Sequence, residues 1–111
     1  MREHNETVPD YCMIEAAMEV LGGKWKMAIV NRLLPGPQRF GELGRAMPTI
    51  TQRMLTRQLR ELEADGVVRR TVYPQVPPKV EYDLTEIGQS LQTLAGQLES
   101  WGHWYRGQRD E

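Results

Sequence analysis

Arg53, Arg57 and Arg60 recur at spacings of four and three, with Thr56 between them and Gln52 just ahead. At about 100° per residue a helix gathers Arg53, Thr56, Arg57 and Arg60 on one face, with no acid among them. A guanidinium is a planar fork that bonds bidentately to phosphate oxygens or to guanine O6 and N7. Glutamine reads adenine, and threonine meets a thymine methyl or a phosphate. The face therefore suits the major groove of duplex DNA. Gln52, Arg53, Thr56 and Arg57, near the helix start beside Thr51, are placed for base edges, and Arg60, further along, for phosphate. On an isolated helix the same arginines could equally serve as a solvated face, so the surrounding elements decide.

No other set of residues assembles a catalytic site. The single cysteine, Cys12, cannot close an intramolecular disulfide or build a multi-cysteine zinc site. His4 lies in the polar start and His103 near the end of the last helical run, and neither has a partner that the sequence reveals. Gly22-Gly23-Lys24 lacks the remaining glycine spacing and the preceding strand of a phosphate-binding loop. Gly41-Glu42-Leu43-Gly44 has the spacing of an RNA-binding GXXG loop, but a glutamate facing phosphates has the wrong sign. The chain is thus expected to be no enzyme and to hold no cofactor or metal.

The elements that must carry the arginine face follow from the hydrophobic pattern. Residues 1–10 are expected to be a flexible arm and residues 11–111 a single domain, since 111 residues with 40% hydrophobic content leave no room for a second core. A helix runs from about residue 11 to 21, stopped by Gly22-Gly23, and a second from Lys24 to Leu34, ended by Pro35-Gly36-Pro37. Arg39-Phe40 is either a short strand or the lead into a brief helix near Gly41–Ala46. Thr51 or Thr49 caps a helix of about fifteen residues, closed by Asp65 and Gly66. Val67–Tyr73 and Val80–Leu84 are β-rich strands around a proline-laden tip, and a final helix spans about 86–106. A short helix, a tight turn, a longer helix and a hairpin, in that order, is the winged helix-turn-helix pattern: a mainly α fold with a small β-hairpin, of the α+β class. At the wing tip, Gln75 and Lys79 flank Val76-Pro77-Pro78, within reach of a minor groove or a phosphate backbone; a rigid turn accounts for the prolines equally well. Arg69 and Arg70 alternate on a strand, so at most one of them shares a face with DNA.

Charge is distributed to match. The net charge is −1, yet between Lys24 and Val80 stand eleven basic residues against four acidic ones, and the flanks are acidic. The longest aliphatic run, Met27-Ala28-Ile29-Val30, is too short for a membrane helix or a secretory signal, so the chain is read as cytoplasmic, with no membrane partner.

Ile87, Leu91, Leu94, Leu98, Trp101 and Tyr105 follow an a/d spacing over nearly three heptads. The stripe could pack back on its own domain. A helix about 30 Å long would, however, extend past so small a body, and Trp101 and Tyr105 are residue types favoured at interfaces. Pairing with a second copy is expected, with Ile14 and Met18 of the first helix contributing. Such a homodimer would present two recognition helices to half-sites about one turn apart, or a multiple of that.

The segments Cys12-Met13-Ile14-Glu15-Ala16-Ala17, Gly22-Gly23-Lys24-Trp25-Lys26, Arg39-Phe40-Gly41-Glu42-Leu43, Met54 to Gly66 and Tyr73 to Thr85 together resemble the HxlR-type family of bacterial winged-helix transcriptional regulators. The resemblance runs from about residue 11 to 103, and its wing string is the most specific part. It implies a homodimer that binds an inverted-repeat operator through the fourth helix and the wing, usually as a repressor, with the first and last helices at the interface. It names no effector. Some members sense electrophiles or oxidants through an N-terminal cysteine that matches Cys12. Here Met13 replaces the usual following proline, and Asp10 and Glu15 oppose a thiolate. Cys12 is thus either a redox sensor or a small residue at the dimer interface. The rival to the whole reading is a winged-helix module that docks proteins without touching DNA.

Overall fold

A computed structural model describes residues 12–109; the expected arm 1–10, with His4, lies outside the described residues. Helix α1 (Met13–Leu21) ends where the Gly22 amide bonds to the Met18 carbonyl, and α2 (Lys26–Leu33) follows the Gly22-Gly23 break. Helix α3 (Phe40–Ala46) starts at Arg39, whose backbone N–H donates to the Glu42 carboxylate at 2.7 Å. Gly41 to Gly44 are therefore inside a helix, and Glu42 closes its first turn, which removes the GXXG-loop alternative. Of the two options left open at Arg39-Phe40, the helix is the one formed. The strand-like contact falls one residue earlier, where Gln38 and Tyr82 exchange backbone hydrogen bonds of 2.9 and 2.8 Å.

Helix α4 (Gln52–Ala64) is capped by Thr51 rather than Thr49, its hydroxyl accepting from the Met54 N–H at 3.1 Å. Leu55, Leu59 and Leu62 form its buried stripe. Its end is set by Gly66, at φ +77°, a left-handed conformation open to glycine at little cost. Strands β1 (Val68–Tyr73) and β2 (Lys79–Leu84) pair antiparallel, from Val68 opposite Leu84 to Tyr73 opposite Lys79. One core, in which α2, α3, α4 and the base of the hairpin meet, holds Ile29, Val30, Leu33, Leu43, the three α4 leucines, Val67, Val68 and Leu84.

The expected single last helix is divided into α5 (Glu86–Gln89) and α6 (Gln92–Arg109). Thr85 caps α5, its hydroxyl accepting from the Gly88 N–H. Gly88 packs so closely on the Val67 carbonyl and Leu84 that the first turn is pinned to the hairpin base, and the chain turns at Ser90-Leu91 before helix resumes. The heptad stripe crosses this break. Leu91 is half-buried on the domain's own core and Ala95 is the buried residue of α6, whereas Ile87, Leu94, Leu98, Trp101 and Tyr105 are exposed.

Candidate nucleic-acid interface

The leucine stripe fixes which way α4 faces. With Leu55, Leu59 and Leu62 turned into the core, Gln52, Arg53, Arg57 and Arg60 are exposed and Thr56 is half-buried beside them. The Thr56 hydroxyl donates to the Gln52 carbonyl at 2.9 Å, which spends its proton on the helix and leaves the oxygen able only to accept from a ligand. Arg53, Thr56, Arg57 and Arg60 line one shallow hollow with Glu61. Arg53 and Arg60 form no ion pair among the described residues, so their guanidinium groups are open to a ligand.

Glu61 modifies the face that the helical wheel left free of acids. One of its oxygens accepts from Arg57 Nε at 3.3 Å, and the other accepts from Lys26 Nζ, on α2, at 2.5 Å. The Lys26 bond, more than the contribution of Arg57, holds the Glu61 carboxyl below its ordinary pKa against the opposing effect of burial.

A second hollow opens between α4 and the hairpin, lined by Thr56, Leu59, Arg60, Glu63, Arg70 and Tyr82. It settles which arginine of the strand shares the α4 surface: Arg70 does. Arg69 bonds to both oxygens of Asp83 across the ladder, at 3.2 and 2.5 Å. The sequence offered the alternation but not its phase, so Arg70 was missing from the candidate residues.

The wing residues divide as well. Gln75 is exposed at the tip beside Val76, which is 99% exposed. Lys79 is drawn back onto the hairpin: its ammonium lies 4.9 Å from the Tyr73 ring centre and 3.4 Å from Glu81, which also accepts from the Tyr73 hydroxyl. The other candidates lie apart from this surface. Cys12 is exposed at the N-cap of α1. Ile14 and Met18 on α1 and Leu94, Leu98, Trp101 and Tyr105 on α6 are exposed apolar residues, and Trp101 stacks on Tyr105 at 5.0 Å. Among the described residues no cluster of His, Cys, Asp and Glu could hold a metal, and no helix is long and apolar enough to cross a membrane.

A short helix, a turn and a leucine-anchored helix with an arginine face, followed by a hairpin, define a winged helix-turn-helix protein of the DNA-binding, transcription-regulating class. The sequence profile of the HxlR-like helix-turn-helix family matches residues 20–110, and the chain belongs to that family. It is 60% identical over 89 residues to the HTH-type transcriptional regulator YtcD of Bacillus subtilis, a match covering 80% of this chain and 71% of YtcD. Among solved structures it is similar to the redox regulator HypR in its oxidised form, with a TM-score of 0.80 and 54% identity over 83% of this chain and 95% of HypR. It is also similar to the reduced form of the transcriptional regulator YodB of B. subtilis, with a TM-score of 0.73 and 40% identity over 82% of this chain and 90% of YodB.

Proposed function

We propose that the protein is a sequence-specific DNA-binding transcriptional regulator that acts as a homodimer on an inverted-repeat operator. The observation that carries this reading is the exposed face of α4, where Arg53 and Arg60 form no ion pair among the described residues and stand beside Arg57 on a helix locked to the core by three leucines. In the complex Gln52, Arg53, Thr56 and Arg57 read base edges. Thr51 holds the helix start, Arg60 and Arg70 bind phosphates, and Gln75 reaches from the wing, with Lys79 behind it. Two copies meet through the exposed apolar residues of α1 and α6. Repression is the regulatory outcome, because a dimer seated on an operator occludes it without further contacts. The test is binding of duplex DNA by the charge-reversed variants Arg53→Glu and Arg57→Glu: both lose operator binding, and retention of full affinity in both overturns the reading.

The exposure of Cys12, together with the redox character stated for HypR, favours a regulatory extension. With one cysteine per chain the disulfide is intermolecular. Two Cys12 thiols reduce one hydrogen peroxide to two waters and become a disulfide, which changes operator affinity. Cys12→Ser abolishes that change; a serine variant with the full peroxide response removes the sensor role and leaves Cys12 a residue of the dimer interface.

A further inference from the structure

We propose that Lys26 and Glu61 are positioning residues that hold Arg57 in place on the recognition face and thereby raise discrimination between operator and unrelated DNA; this rests on the DNA-binding reading above. An ordinary pair of exposed charges one helical turn apart is loose and contributes little. This one is not free to swing. Glu61 binds Arg57 through one oxygen, while its other oxygen is bonded to Lys26, whose side chain is only 7% exposed against 70% for Arg57. A desolvated ammonium needs a partner, and Glu61 supplies it. Helix α4 is thereby tied, through Glu61, to an ammonium embedded at the start of α2, and Arg57 is held by the same carboxylate.

The contact uses Nε of Arg57 and leaves Nη1 and Nη2 for the two acceptors of a guanine edge. A guanidinium already fixed loses less freedom on binding, which favours the complex in which its fixed position is the right one. The same carboxylate penalises the wrong complex. On unrelated DNA, Arg57 gains most by moving to a phosphate, which requires leaving Glu61 and exposing an anion to the backbone. Lys26 and Glu61 were not candidates from the sequence, because they lie far apart along the chain on different helices.

The test compares affinities of the intact protein for a selected operator duplex and for a scrambled duplex of equal length, across a salt series. Glu61→Gln removes the anion and the clamp. It is expected to bind the scrambled duplex several-fold tighter, with a salt slope steeper by about one. It binds the operator no tighter, and the operator-to-scrambled ratio falls by about tenfold, the scale of one base contact. Lys26→Met keeps most of the volume but leaves Arg57 as the remaining cationic partner of Glu61. It weakens scrambled binding, the opposite sign, while also lowering the ratio. Opposite shifts in background affinity with a common loss of discrimination would not arise from a merely structural pair. If Lys26→Met does not fold, Glu61→Gln decides alone. A ratio unchanged in folded Glu61→Gln overturns the proposal while leaving DNA binding intact; a wild-type protein that binds neither duplex overturns the underlying reading and the proposal with it.

Discussion

Arg60 on α4 and Arg70 on β1 line the same hollow, although a turn and a change of secondary structure separate them in sequence. Their shared surface extends the arginine face of α4 onto the hairpin. Arg70→Ala is therefore expected to weaken binding to every duplex and to lower the slope of log affinity against log salt by about one. Arg69→Ala, which removes a group bonded to both oxygens of Asp83, leaves that slope unchanged. Affinity titrations at four salt concentrations distinguish them.

Arg53 and Arg57 should behave differently from Arg70. Each substitution by alanine is expected to cost about 1–3 kcal/mol on the operator and to relax the preference at one base pair, with a smaller effect on scrambled DNA. Competition against single-position operator variants reads this out.

Gly88 gives a stability prediction with a specific cause. A Cβ there would collide with the Val67 carbonyl oxygen and lie 2.9 Å from Leu84 Cβ, and backbone cannot move aside as the end of a flexible side chain can. Gly88→Ala is expected to lower stability by about 1–3 kcal/mol in urea unfolding. Gly44→Ala, in α3 with nothing within 4 Å of the added carbon, should raise it by about 0.5–1 kcal/mol.

The Lys26–Glu61 bond makes stability depend on acid. Because the folded Glu61 carboxyl titrates below its unfolded value, its contribution is full at neutral pH and is lost as pH falls through the folded pKa. The stability difference between wild type and Glu61→Gln should therefore narrow on acidification, as measured by urea midpoints between neutrality and about pH 3.

Trp101, 58% exposed, and Leu98 are the residues through which the proposed dimer can be tested separately from the fold. Leu98→Lys and Trp101→Glu are expected to give folded monomers, with wild-type helix content by circular dichroism and half the mass by light scattering. Each should bind one half-site weakly.

Helix α4 was legible because its signals are local: a Thr51 cap, leucines at positions 55, 59 and 62, and a terminating Gly66. The hairpin was legible for the same reason, bounded by prolines and β-rich residues. What escaped depends on packing. The heptad spacing passes without interruption through Ser90-Leu91, and only the seating of Gly88 on Val67 shows why the last helix is broken there. The arginine face was read as holding no acid, and Glu61, one turn after Arg57, is fixed at its edge by Lys26 from another helix. Lys79 was expected at the tip within reach of a groove or phosphate, and the ladder seats it over Tyr73 beside Glu81. The phase of Arg69 and Arg70 required the pairing register as well.

The most direct test of the account is selection from sheared genomic DNA by the reduced protein at near-physiological salt, followed by sequencing of the retained fragments. The expected result is a small set of sites sharing an inverted repeat, with half-sites about one or two turns apart. Fragments retained uniformly, or none retained at all, would contradict it and shift the weight to a winged-helix module that binds proteins.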